Sequence, residues 1–393
     1  MPPALIALFA AAFAIGTSEF VIAGILPAVS TDLAISIPTA GMLVSLYALG
    51  VAIGGPLLAT FAGRFSRKPL LVTYLVIFTV GYAVCALAPG FVALLAARMV
   101  ISLIHGAYFG TAMIVATTLV EERRRGFAVA LVLAGLTVAN VLGVPFGAAI
   151  GNAFGWRTTF WTVSILGVAS LAAITVLLPR DTAPGGARGS FLAELRVIGR
   201  EPVYSSLLVI ALQTIGQFAV FTYIAPLLTN ISGLSIDTVP LLLVIFGLGS
   251  TIGVLIGGRL ADWNLMATLI GILAAQVVMY ALMVVFVASP WPMAALVMVW
   301  GALAFAFGSP VQSRILANTR DAPLLASSLI PSAFNVSIAG GAWLDGAMID
   351  RNISYAALPW IGVVASALAL GVAVWSAARA RAPGTPELGG SRG

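Results

Sequence analysis

Charge is what this sequence has least of. Only 8% of its 393 residues are Asp, Glu, Lys or Arg, against roughly 25% in soluble domains, and that excludes a water-soluble globule. Cysteine is reduced to Cys85, inside an apolar run, so neither a disulfide nor a cysteine metal cluster can form. Histidine is reduced to His105. One imidazole and one thiol cannot assemble the usual nucleophile–base or metal-ligand sets, so no metal, no cofactor and no enzymatic centre is expected. No G-x-x-x-x-G-K run occurs, which leaves no phosphate-cradling loop for ATP. Lys68 is the only lysine, and the net charge of +6 is otherwise carried by arginine. A bilayer explains that charge better than nucleic acid does.

What remains is apolar. Hydrophobic residues make up 61% of the chain and the mean hydropathy is +1.11. Stretches of about 20 such residues suffice to cross a ~30 Å hydrocarbon core as helices, and the alternation of a membrane β-barrel is absent. The pattern predicts twelve spans, at 4–27, 39–62, 69–88, 91–119, 126–153, 158–178, 204–228, 238–261, 266–287, 292–315, 323–349 and 354–377. The first run lacks a basic start and contains Glu19, so it reads as a retained span and not as a cleaved signal. Sixteen Lys and Arg residues fall on one side of this topology and only Arg157 and Arg351 on the other. By the positive-inside rule both termini are expected in the cytoplasm.

The sequence divides near its middle. A connection over about 179–203 holds Pro184, Gly185, Gly186 and four arginines. It separates an expected six-helix bundle at 1–178 from a second at 204–378, with 379–393 read as a disordered tail. A shift of 199 residues matches Pro27, Ser36, Thr39, Gly50 and Gly54 to Pro226, Ser235, Thr238, Gly249 and Gly253, and a shift of 195 matches Asn140 and Gly151 to Asn335 and Gly346. Such a duplication suits a transporter with its site between the halves near the membrane midplane. With no soluble domain to bind ATP, uphill movement would have to draw on an ion gradient.

Two ionisable residues lie deep in apolar spans. Glu19 precedes the outer end of span 1 by eight residues and Arg98 follows the outer start of span 4 by seven. At 1.5 Å per residue both sit roughly 10–12 Å below the outer surface and can meet. A charge at the bilayer centre costs about 2.5–3.5 kcal/mol, so such residues face cavities or partners. A carboxylate moved between wet and closed surroundings changes its affinity for a proton, so Glu19 is the candidate proton-coupling group with Arg98 beside it; a static ion pair between the two spans is the plainer reading. Asp345 is a third membrane acid, close to Asp350 and Arg351, and is expected at the interface.

His105 shares a helical face with Arg98, Ser102 and Phe109, as a proton relay or as a hydrogen-bonded helix contact. Gln213, Gln217 and Phe221 form a comparable stripe on span 7, suited to an uncharged ligand that needs hydrogen bonds and a flat surface or to bonding adjacent helices. Tyr47, Asn140, Tyr223 and Asn335 are further candidates of this kind. Ala139, Gly143, Gly147 and Gly151, with Pro145 among them, permit either close helix packing or a sliding seam between halves, and the proline permits a bend.

Several of these patterns resemble the major facilitator superfamily and its twelve-span drug:proton antiporters. Gly143-Val-Pro145-Phe-Gly147 is similar to the span-5 antiporter motif, and Arg98 to the membrane arginine implicated in proton coupling. The stretch Ala59–Leu71, with Arg64, Arg67 and Lys68, resembles the cytoplasmic gating motif between spans 2 and 3, although Gly63 stands at its acidic position and Ser66 at a glycine; the second-half copy at 258–262 keeps its acid, Asp262. Gly16-Thr-Ser-Glu-Phe20, Gly257-Gly-Arg-Leu-Ala-Asp262, Phe246-Gly-Leu-Gly-Ser250 and Phe334-Asn-Val336 resemble the arabinose-efflux and chloramphenicol-resistance branch. In that branch the span-1 acid corresponds to Glu19, while a small residue usually stands where Asp345 is. The resemblance implies a monomeric, multi-pass plasma-membrane antiporter that exchanges protons for an uncharged amphipathic compound such as a chloramphenicol-like drug. Sugar or nucleoside efflux is the alternative, and a facilitative uniporter or channel a more distant one.

Overall fold

The computed structural model describes residues 2–62, 65–179, 195–319 and 323–381, and every long element among them is an α-helix. In order these are α1 (Pro3–Asp32), α2 (Ile37–Ala62), α3 (Arg67–Leu87), α4 (Phe91–Thr118), α5 (Arg125–Val138), α6 (Val144–Phe154), α7 (Trp156–Leu177), α8 (Glu201–Thr222), α9 (Ile224–Asn230), α10 (Val239–Phe286), α11 (Pro290–Ala306), α12 (Gly308–Ala317), α13 (Pro323–Ile349) and α14 (Leu358–Arg381). Helices dominate because lipid offers no partner to a free backbone N–H or C=O, and a helix satisfies both within one segment. Ten described segments are long and apolar enough to cross a membrane. The chain is a multi-pass membrane protein. Large apolar side chains such as Val92, Ile165 and Val285 are exposed along its flanks, and exposed Trp263, Trp291, Trp360 and Trp375 lie near helix ends, as side chains at the headgroup level do.

The spans differ from the expected ones where proline withdraws an N–H. A proline inside a helix leaves the carbonyl four residues earlier without its donor. Span 7 breaks at Tyr223, just after Thr222, whose carbonyl Pro226 would have served. Span 10 breaks at Phe307, just after Ala306, the counterpart of Pro310. Before Pro145 the span-5 helix widens into a π turn at Ala139–Gly143, so the irregularity precedes the proline. The connection expected between spans 8 and 9 shrinks to one residue: Asn264 (φ −152°, ψ 98°) interrupts α10, and its Oδ1 accepts from the Ala267 N–H at 3.0 Å, capping the next turn. At its end α14 runs to Arg381, into the stretch expected to be a tail; most of that tail and of the 179–203 connection lie outside the described residues.

Glycine sets the closest helix approaches. A methyl group at Gly50 or Gly54 would collide with Ser102 or with the Leu103 backbone, joining α2 to α4. One at Gly249 or Gly253, their counterparts 199 residues on, would collide with the backbone at Met298 or Ala302, joining α10 to α11. Helices up to Leu177 pack mainly among themselves, as do those from Glu201 onward, and the two sets meet chiefly where α2 lies on α13 and where α10 lies on the π turn and α6. Many of the named contacts between the sets gather toward the end away from the chain termini, called the distal end below. There Tyr223 Oη fits between Gly41 and Gly346 and donates to the Ala342 carbonyl at 3.3 Å, and Asn152 Nδ2 reaches the Ile236 carbonyl at 3.5 Å. Deeper along α2, Ser332 Oγ donates to the Ala52 carbonyl at 3.0 Å, an acceptor that Pro56 has left free.

Candidate functional site: a buried carboxylate beside an aromatic box

Glu19 lies on α1 with its side chain 11% exposed, and its Oε2 stands 3.6 Å from His105 Nε2 on α4. The other imidazole nitrogen, Nδ1, is 3.1 Å from Tyr47 Oη on α2. Three helices thus present a chain of carboxylate, imidazole and phenol, each member able to give or take a proton. Of the two readings open for His105, the contact is one between helices, and it also reaches the acid.

Arg98 is fully buried but forms no ion pair with Glu19 among the described residues. Its Nε donates to the Leu43 carbonyl at 3.3 Å and its Nη1 to the Ser18 carbonyl at 3.5 Å, and its guanidinium lies 4.5 Å above the Tyr47 ring. Nη2 has no partner. Equal depth in the sequence brought the two residues to one level; helix rotation then sent the guanidinium to the backbone beside Glu19, not to its carboxylate. Its charge still acts on Glu19 across that gap.

The residue after Glu19 opens a second feature. Phe20 meets Phe218 at 5.8 Å and Phe221 at 6.1 Å between ring centroids, and Phe221 meets Phe246 at 5.1 Å and Trp300 at 6.1 Å. Phe20, Asn140, Gln217, Phe218, Phe221, Phe246 and Phe305 line a narrow cavity of about 10 Å³. Ligand pockets usually measure roughly 300–1,000 Å³, so this space must widen before it can hold a drug-sized compound. Of the candidates named from sequence, Asn140, Gln217 and Phe221 are in this lining. Gln213, one turn from Gln217, is fully buried with neither amide atom partnered among the described residues. Tyr47 and His105 belong to the Glu19 chain, Tyr223 to the distal closure, and Asn335 Nδ2 donates to the Pro331 carbonyl at 3.0 Å while its Oδ1 has no partner among the described residues. The aromatic members Phe20, Phe218, Phe246 and Phe305 were not foreseen, although Phe20 and Phe246 each lie within a motif that carried the family resemblance.

The gating and packing candidates separate in a similar way. Gly143, Gly147 and Gly151 abut Thr17, Val21 and Ile25 of α1. This stripe is therefore close packing within one set of helices, and the seam between sets runs instead through the neighbouring Asn140 and Val141, which touch Gly247. Arg64 lies outside the described residues. Arg67 begins α3, while Lys68 Nζ donates to the Thr175 carbonyl at 2.8 Å and to that of Leu178, holding the end of α7. Asp262 is exposed on α10. Asp345, expected at the interface, is instead fully buried, because the turn that carries it is pressed between α2 and α8. Arg314, read as an inner-side charge, is buried too, with Glu201 Oε2 at 3.5 Å, Ser205 Oγ at 3.2 Å, and Ser376 Oγ.

The sequence profile of the Major Facilitator Superfamily matches residues 8–322. The inner membrane transport protein YdhP of Escherichia coli (strain K12) is 38% identical over 366 residues, covering 93% of this chain and 94% of that one. A chloramphenicol resistance protein of Streptomyces lividans is 33% identical over 375 residues, covering 95% and 96%. In fold, the chain is similar to a bacterial homolog of the human lysosomal transporter Spinster in an inward-facing, occupied conformation, with a TM-score of 0.71 and 15% identity over 95% of this chain and 94% of that one.

Proposed function

The chain belongs to the Major Facilitator Superfamily, in its arabinose-efflux and chloramphenicol-resistance branch, and is thus a transporter and not an enzyme; from this premise we propose that it is a proton-coupled antiporter exporting a small, uncharged amphipathic compound across the plasma membrane. In this reading twelve helices cross the bilayer as two six-helix bundles, 1–178 and 204–378, with the 179–203 linker and both termini in the cytoplasm, and the protein acts as a monomer. The distal end is then the outer one, and the arrangement described is closed outward.

The observation that carries the proposal is adjacency. Glu19 holds the buried carboxylate and Phe20 lines the aromatic box, so one helical turn couples proton occupancy to ligand occupancy. With the inner side open, Glu19 is wetted and ionised and the compound enters between the bundles, its flat part against Phe221 and Phe246 and its polar groups against Gln217 and Asn140. After the bundles tilt, a proton from the more acidic outer side reaches Glu19, with His105 and Tyr47 in line to pass it, and the compound leaves. The neutral carboxyl returns through the closed state more cheaply than an anion would. Five phenylalanines in the box favour a ligand with an aromatic face over a sugar, which would want paired hydroxyl-binding groups. The chloramphenicol resistance of the Streptomyces lividans relative makes phenicols the first compounds to test.

Efflux from proteoliposomes under an imposed pH gradient tests the reading. The wild type is expected to accumulate substrate against its gradient, and Glu19→Gln to lose this while remaining folded and keeping substrate exchange. Full gradient-driven transport by Glu19→Gln would remove Glu19 from the coupling. Absence of counterflow acceleration in the wild type would point to a channel.

A further inference from the structure

Asp345 is buried without compensation. It is fully inaccessible, and neither carboxylate oxygen has a hydrogen-bond partner among the described residues. Every element packed on α13 can be searched for a counter-charge. Along α2 the neighbours near Tyr223 and Gly346 are Pro38 and Gly41, and residues 37–46 hold no ionisable group. From the break between α8 and α9 comes the Tyr223 phenol, which is within electrostatic reach of Asp345, Asp350 and Tyr355. Arg314 of α12 is engaged at the opposite end with Glu201, Ser205 and Ser376, and Arg351 is exposed. An ionised carboxylate in an apolar setting with no cation and no donor is too costly to persist, and such a group takes up a proton instead.

Its place matters as much as its burial. One turn before Asp345, Ala342 accepts from Tyr223 Oη, and the next residue after it, Gly346, packs against the same hydroxyl, while Gly41 of α2 closes on it from the other set of helices. Asp345 therefore sits behind the side chain that plugs the distal end. Parting α2 from α13 would admit water to it. Water stabilises the carboxylate, so the open arrangement releases the proton and the closed one needs it.

We propose that Asp345 is a second proton-binding carboxyl, whose protonation is required for the distal seam between α2 and α13 to close. The step is a plain transfer: hydronium at the distal face gives a proton to the Asp345 carboxylate, and water departs as Tyr223 seats. Because the closed form binds this proton more tightly than the open form, acid on the distal side favours closure and alkali favours opening. The site is separate from Glu19 and does not depend on the coupling role assigned there.

Infrared spectroscopy of the reconstituted full-length protein at neutral pH reads the protonation directly. The carbonyl stretch of a protonated carboxyl group should be present in the wild type and in Glu19→Gln, weaken in Asp345→Asn, and be lost when Asp345→Asn is added to Glu19→Gln. Equal intensity in wild type and Asp345→Asn would show an ionised Asp345 and overturn the assignment. For the seam, spin labels at Thr31→Cys and Ile353→Cys, in a Cys85→Ser background, report distal opening. Raising the pH is expected to shift wild type toward the longer distance, while Asp345→Asn stays at the short distance throughout. An unchanged pH response in Asp345→Asn would sink the gating role, whether or not Glu19 couples transport.

Discussion

The seam between the two sets of helices offers a sharp perturbation at Gly247. A methyl group there would lie 2.6 Å from both the Asn140 carbonyl oxygen and the Val141 Cα, which are backbone atoms and cannot swing aside. Ordinary contact begins at 3.4 Å, so Gly247→Ala requires α10 to withdraw from the π turn by about 0.8 Å. Overpacking of this kind costs about 1–3 kcal/mol, and the cost falls only on the arrangement in which these helices touch. At 1.4 kcal/mol per factor of ten, the closed arrangement should lose about 5- to 150-fold in population relative to the open one. Gly271→Ala is the control, because it lies on the same helix with nothing within 4 Å of the added carbon. Distances between labels at Thr31 and Ile353 measure the populations. If Gly247→Ala closes as fully as the wild type and as Gly271→Ala, then the contact at Asn140 is not a moving seam, and the rocking of bundles about it must be abandoned.

Other expectations follow from single contacts. Arg314→Leu removes the buried guanidinium beside the partly exposed Glu201, and a charged group left without its hydrogen-bond partner costs about 1–3 kcal/mol; a lowered unfolding temperature in detergent would register it, and no change would mean that water already satisfies Glu201. Lys68→Met removes the donor to the last carbonyls of α7 and should cost about 0.3–1 kcal/mol with little change in transport, as thermal unfolding and uptake assays together would show. Phe221→Ala and Gln217→Leu should each raise the KM for an aromatic substrate about tenfold, since base-like stacking or a single lost hydrogen bond is worth about 1–3 kcal/mol; unchanged KM in both would place the substrate elsewhere. Arg98→Lys keeps the charge but cannot bridge the Ser18 and Leu43 carbonyls with one planar group, so it should slow transport nearly as much as Arg98→Gln if positioning is what matters.

Much of the fold was legible because a bilayer enforces it. Apolar runs of sufficient length have one way to satisfy their backbone, so the all-helical membrane class and the order of its long segments came from the hydropathy pattern, and the glycine matches at a shift of 199 marked helix contacts that do exist. Glu19 was legible for the same reason: a carboxylate in hydrocarbon needs an explanation that a surface acid does not. The boundaries were harder: the breaks at Tyr223 and Phe307 follow from local hydrogen bonding and leave no gap in hydropathy, whereas the one at Asn264 falls in the short gap expected between spans 8 and 9.

What the sequence could not supply is rotation about each helix axis. Depth along an axis follows from counting at 1.5 Å per residue, and it placed Glu19 and Arg98 near one level, with His105 two turns deeper on the face of Arg98. Which of them face one another depends on how α1, α2 and α4 pack, and that is why Glu19 met His105 while Arg98 turned to the Ser18 and Leu43 carbonyls. The same limit hid the aromatic box, assembled from helices more than 100 residues apart, and misplaced Asp345, whose depth suggested an interface but whose face points into the packing between helices. Residue type and spacing determine what can lie in a membrane and at what height; only packing decides what touches.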